Sequence, residues 1–207
     1  MVEPVYYHGT QNTAAYSIMQ QGFKVGEPTM GRNLGAGLYL SASVEFAATW
    51  GPVVIRCGLK RGTRILWHTP VEASTIKYLK REFGANITKP TFHKLIPKNK
   101  QLTKSELAQL WNCLIDRHYL DSRNSRRDFL PRLARAYPFI YKQLKRHGYD
   151  GFGILNEEWP EIFLFNPSTA KPLSAHSHTS TGSRTSWVRE NVRLSEPLTL
   201  EQLNEIQ

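Results

Sequence analysis

The chain changes texture twice, and this limits its fold more than any other feature it has. Residues 1–68 are rich in Gly, aromatic and β-branched residues; residues 69–147 carry helical signals; residues 148–173 return to strand texture. That order predicts an α+β chain, a β scaffold carrying a helical insertion over about 69–147. Val5-Tyr6-Tyr7 and Val53-Val54-Ile55-Arg56-Cys57 read as short buried strands. Between them Thr13 to Gln21 reads as a helix, with Thr13 as cap, Ala14, Ile18 and Met19 on the core face, and Gly22 as the stop.

In the insertion, Thr103-Lys104-Ser105-Glu106 has the spacing of a capping box, followed by Leu107, Leu110, Trp111, Leu114 and Ile115 at helical intervals. A second helical stretch runs from about Asp128 to His147, with Pro138 as a break. Gly148-Tyr149-Asp150-Gly151 is a turn signal. Phe152-Gly153-Ile154-Leu155 and Ile162-Phe163-Leu164-Phe165 then read as two strands of one hairpin. Residues 174–186, rich in Ser, Thr, His and Gly, read as a flexible loop, and Thr199 with Gln202 caps a short C-terminal helix. The expected division is a single domain over 1–173 and an extension over 174–207.

Composition excludes some classes. With 40% hydrophobic residues, a folded core is expected. No apolar run approaches the roughly 18 residues of a membrane helix, and Met1-Val2-Glu3-Pro4 has no leader character. A cytoplasmic protein is expected. Cys57 and Cys113 are too far apart for a disulfide framework or a zinc site and read as ordinary buried residues. His176 and His178 lack a cysteine or acidic partner, so no metal is expected. The net charge of +10 fits either simple solubility or a polyanionic partner.

Three clusters carry the chemistry. Tyr7-His8-Gly9-Thr10 ends an apolar strand in an imidazole and a glycine. A glycine lets a ligand reach the backbone, whose N–H and C=O match a primary amide; a lone His-Gly is more commonly a plain strand end. Gly35-Ala36-Gly37-Leu38-Tyr39-Leu40-Ser41 puts an aromatic on a strand after two glycines, and Trp50 follows eleven residues after Tyr39, behind a short helix over Val44–Thr49. Two such rings can clamp a flat heteroaromatic ring; taken alone, the segment is more commonly a turn followed by a core tyrosine. Trp159-Pro160-Glu161-Ile162-Phe163-Leu164-Phe165 opens an apolar strand with a carboxylate. Glu161 is either used there or merely ends a solvated loop.

Taken in order, the clusters resemble the ADP-ribosyltransferase superfamily of the diphtheria-toxin and poly(ADP-ribose) polymerase type, whose signature is a histidine, a tyrosine and a glutamate on three strands. Tyr-His-Gly-Thr is similar to the first motif of the toxin branch, Gly-x-Gly-Leu-Tyr-Leu-Ser to the second, and Pro-Glu-Ile-Phe-Leu-Phe-Asn to the third. The likeness covers about residues 5–60 and 145–173. It implies a split β-sandwich of two antiparallel sheets, with NAD as co-substrate between them. It also implies roles. His8 would bond the adenosine ribose, Gly9 and its neighbour Thr10 would meet the nicotinamide end, Tyr39 and Trp50 would stack on the ring, and Glu161 would bind the ribose 2′-hydroxyl. Arg32, before the second motif, is a candidate for the pyrophosphate, though an exposed loop arginine is the commoner reading. Many members have a serine three residues before the second aromatic; here it is Ala47, which removes one contact to the carboxamide.

The resemblance implies transfer of one ADP-ribose to a macromolecule with release of nicotinamide. Charge leans the acceptor toward RNA or DNA over protein, and a toxin or antiphage effector, held by an inhibitory partner, would fit. Arg117, His118, Arg123, Arg126, Arg127, Arg132, Arg135, Lys142, Lys145 and Arg146, with Tyr119, Tyr137 and Tyr141 interleaved, are the candidate acceptor contacts or a solvated helix face. An NAD glycohydrolase, a protein-modifying transferase and a non-enzymatic nucleic-acid-binding module are the competing readings.

Overall fold

The computed structural model describes residues 4–24, 37–68, 101–108, 111–112, 138–154, 161–181 and 189–205. The fold is mixed α+β. Eight strands form one open, mostly antiparallel sheet: β1 (Tyr6–Thr10), β2 (Leu38–Ser41), β3 (Val53–Leu59), β4 (Ile65–Trp67), β5 (Gly151–Ile154), β6 (Glu161–Leu164), β7 (Ala170–Thr179) and β8 (Arg193–Leu194). Their order is β4-β5-β6-β2-β1-β3-β7-β8. Four α-helices are described with them: α1 (Asn12–Gln21), α2 (Val44–Ala47), α3 (Pro138–Arg146) and α4 (Leu200–Glu205). Two compact units divide the chain, Met1–Val25 with Gly37–Thr63 and Gly153–Gln207 in the first, Gly26–Ala36 with Arg64–Phe152 in the second.

In the first unit β3 is buried on both faces. Val53, Val54 and Ile55 are all at most 1% exposed, which no alternating strand with one wet face could be. Tyr6, Leu38, Leu40, Ile55, Cys57, Ile162, Leu164 and Ala175 are buried with them. On the other face Val54 packs with Ala47 and Ala48 of the α2 region, joined by Tyr7, Val44, Val192 and Leu194. Helix α1 begins one residue before its expected start, and Gln11 precedes it without a side-chain cap, so Thr13 is not the cap. Its fully buried residue is Ala15, while Ala14 is exposed and Ile18 and Met19 are half-buried. Gly22 ends it as expected, at φ 77°, its N–H donating to the Ile18 carbonyl at 2.8 Å.

The polar stretch expected to be a loop from residue 174 is strand as far as Thr179. Its Ser and His composition hides this. Six consecutive sequence positions pair with β3 or β8, and the buried imidazole of His176 is satisfied at both nitrogens, by Ser174 Oγ and by the Ser195 carbonyl, each at 2.8 Å. Helix α4 keeps its expected cap: the Thr199 N–H donates to Gln202 Oε1 at 2.8 Å, and the Gln202 N–H to Thr199 Oγ1 at 3.2 Å.

In the second unit the capping box is also as expected. The Thr103 N–H donates to Glu106 Oε2 at 2.8 Å and the Glu106 N–H to Thr103 Oγ1 at 3.2 Å, starting a helical turn at 104–108. Leu107 and Trp111 are completely buried, and Trp111 packs on Phe152 with ring centroids 4.5 Å apart. The described part of α3 opens on Pro138, and the expected break there involves residues before it that lie outside the described ones. Gly148 terminates that helix at φ 72°, with the Gly148 N–H on the Lys145 carbonyl and the Tyr149 N–H on the Leu144 carbonyl. That pair of bonds is a Schellman motif, so the expected turn is a helix cap. Lys142, Lys145 and Arg146 are exposed on α3; Arg117, His118, Arg123, Arg126, Arg127, Arg132 and Arg135 lie outside the described residues.

Candidate functional site

Strand β1 organises the site. It pairs with β3 at every residue, from Tyr6↔Cys57 to Thr10↔Val53. With β2 the ladder has one pair, Tyr7↔Ser41. Past Tyr7 a side chain makes the link: His8 Nδ1 lies 3.0 Å from the Tyr39 carbonyl oxygen, so the ring N–H donates where a strand N–H otherwise would. Gly9 therefore has no ladder partner on β2.

Beyond β2 the pairing is regular again. Strands β2 and β6 match at four positions, with Tyr39 opposite Phe163 and Ser41 opposite Glu161. Alternation puts Gly9, Tyr39, Ser41, Phe163 and Glu161 on one face of this part of the sheet. The Tyr39 ring meets Phe163 edge-on at 5.0 Å, and Glu161 opens β6 half-buried. His8 alternates to the opposite face, where its ring stands edge-on to Phe23 at 5.5 Å. So the structure gathers the tyrosine and the glutamate on one face and sets the histidine at the seam between β1 and β2.

Helix α2 covers the Gly9 end of that face. Ser43 starts it, its Oγ accepting the Phe46 N–H at 3.1 Å. A Cβ on Gly9 would stand 1.8 Å from the Ala47 carbonyl oxygen, so only glycine permits this approach. The small residues Ala47 and Ala48 bring the helix against β1 and β3. Gly37 has a similar role in the second motif: a Cβ there would stand 2.2 Å from the Phe163 ring. Trp50 ends the 3₁₀ turn after α2, half-exposed and edge-on to Phe46 at 6.2 Å. Thr10, expected near the nicotinamide end, is the buried last residue of β1. Arg32 lies outside the described residues.

A cavity of about 390 Å³ adjoins Trp50 and is lined also by Gln11, Thr49, Gly51, Pro52, His178 and Arg189. Sequence reasoning singled out none of these others for ligand contact. Phe163 and Ser41 were likewise passed over as neighbours of Tyr39 and Glu161. Their only signal is strand register, which a one-residue slip would invert.

The remaining candidates have structural occupations. Burial pushes the Cys57 thiol well above its ordinary pKa and raises the Tyr6 phenol too. A buried thiol that resists ionising is a poor nucleophile and a poor metal ligand. His178 Nε2 donates to the Gly51 carbonyl at 2.9 Å. Among the described residues no group of three or more His, Cys, Asp or Glu side chains could hold a metal, and no helix is long and apolar enough to cross a membrane.

No protein-family model matches the chain, and no curated protein does. Among solved structures it is similar to one described as the crystal structure of an anti-CRISPR protein, with 13% identity and a TM-score of 0.32. The match covers 82% of this chain and 94% of that one. A likeness of that size carries no argument about fold or activity.

Proposed function

We propose that this chain is an NAD-dependent ADP-ribosyltransferase that moves a single ADP-ribose to a macromolecular acceptor and releases nicotinamide. One observation carries the reading. Where β1 and β2 stop pairing, the residues of all three sequence motifs are neighbours: His8 bonded to Tyr39, Gly9 against Ala47 beside Trp50, and Glu161 one strand over. Three motifs widely separated in sequence thus lie on three adjacent strands, at the place where one ladder is interrupted. The split arrangement of two sheets belongs to the same reading, with the parting of β1 and β2 as its start.

In that reading the carboxamide of nicotinamide lies along the Gly9 backbone, and Tyr39 and Trp50 hold the ring. Cleavage of the bond between nicotinamide and ribose builds positive charge on the sugar. The bond electrons leave with nicotinamide, and the fixed Glu161 carboxylate stabilises the sugar cation. A nucleophile of the acceptor then bonds to the same ribose carbon and gives up its proton to solvent. His8, at the seam and turned to the other face, suits the distal, adenosine end of the dinucleotide.

The test is nicotinamide release from NAD by the wild type and by Glu161→Gln, together with mass spectrometry of macromolecules from a lysate incubated with labelled NAD. Release that depends on Glu161, with label on a macromolecule, supports the transferase. Release without label makes it a glycohydrolase. No release, or release that survives Glu161→Gln, ends this mechanism.

A further inference from the structure

We infer that the acceptor is a single-stranded nucleic acid, held by two neighbouring cavities at the β7–β8 end of the first unit. This rests on the transferase reading for the word acceptor, but the binding surface is argued from other residues.

The first cavity, next to Trp50, presents Arg189, His178, Thr49 and Gln11. The second, about 600 Å³, is lined by Thr179, Thr181, Asn191, Val192 and Arg193. They adjoin in sequence and in register. His178 and Thr179 are consecutive on β7 and pair with Leu194 and Arg193 of β8. Asn191 adopts φ 51°, a left-handed turn that asparagine tolerates, between Arg189 of one cavity and Arg193 of the other. Among the described residues neither lining contains a carboxylate, and the adjacent acid, Glu190, is exposed. Two arginines, Thr179, Thr181 and two amides offer N–H and O–H donors to phosphate oxygens. His178 lines the first cavity with its Nε2–H committed to the Gly51 carbonyl.

Shape favours one strand over two. The first cavity is of the size that takes one small-molecule unit, whereas a duplex is met by an element that enters its groove. The chain's charge of +10 supplies the long-range attraction. Trp50, a wall of the first cavity, is also a member of the proposed NAD pocket, so a strand seated here lies beside the donor.

The experiment is anisotropy of labelled single-stranded RNA and DNA oligonucleotides with the full chain, without NAD, across a salt series. Variants are Arg189→Glu with Arg193→Glu, the lysine pair R189K/R193K, and the matched control Lys60→Glu with Arg61→Glu, exposed at the far end of β3. The expected result is binding that weakens about tenfold or more in the glutamate pair, with a salt slope lower by about two. The lysine pair should retain most binding, and the far control most of it too. Equal losses in the control pair, no loss in the glutamate pair, or competition by poly-glutamate as strong as by single-stranded RNA overturns the inference. So does preference for duplex. Arginine-dependent binding without any NAD turnover keeps this surface and removes the transferase; turnover without oligonucleotide binding does the reverse.

Discussion

On its β3 side β1 is paired from Tyr6 to Thr10; on its β2 side it is paired at Tyr7 alone. The paired flank is largely apolar and dry: Val53, Val54, Ile55 and Cys57 are all at most 1% exposed. The open flank carries His8, Gly9, Tyr39 and, across β2, Glu161. One flank is therefore fully laddered, and the other lacks ladder bonds worth about 1 kcal/mol net each.

The sharpest break in this comparison is Glu161→Gln. The exchange keeps the side chain's shape on β6 and removes the charge, so folding should be retained while nicotinamide release falls about 100-fold or more. Unchanged turnover would show that the open flank does no chemistry with this carboxylate.

Glycines on the two flanks should behave oppositely. Gly9→Ala drives a methyl into the Ala47 carbonyl, and overpacking of this kind costs about 1–3 kcal/mol. Gly58→Ala, on β3, meets nothing closer than Leu173 Cδ1 at 3.8 Å, so the methyl should be neutral or stabilising by up to about 1 kcal/mol. Denaturant midpoints of the two variants decide; a mild Gly9→Ala would mean that α2 does not clamp the seam.

His8→Ala removes the bond that spans the seam and should cost about 0.5–1.5 kcal/mol in chemical denaturation. A larger loss in NAD affinity than in stability would place the imidazole on the dinucleotide as well as on Tyr39. The smallest effect expected is Ser43→Ala, about 1 kcal/mol from the lost α2 cap. If α2 positions Trp50, this variant also raises KM for NAD more than it lowers kcat.

Much of this was legible in the amino-acid order, because local signals act locally. The caps at Thr103 and Thr199 follow from side chains bonding backbone within a few residues, and the stop at Gly22 from the positive φ that glycine allows. The apolar runs of β1 and β6 and the two close-packed glycines, Gly9 and Gly37, were visible as motifs before their reasons were. The β7 strand was not, since its Ser and His residues resemble a loop until β3 and β8 supply partners. The cavity by Trp50 was not either, because Gln11, Thr49, His178 and Arg189 are brought together from four separate segments.

Sequence by itself determined the mixed α+β class, the ends of several helices, and three ordered motifs whose residue types suit an amide, a flat ring and a sugar cation. Tertiary structure decided which strand lies beside which. It put Tyr39 and Glu161 on one face and His8 at the seam, turned the glycine of the first motif into a seat for α2, and left one edge of β1 unladdered. The reason is physical. Caps and turns are settled by contacts between near neighbours, but strand register and the choice of which edge goes unpaired are settled only by the packing of both sheet faces at once.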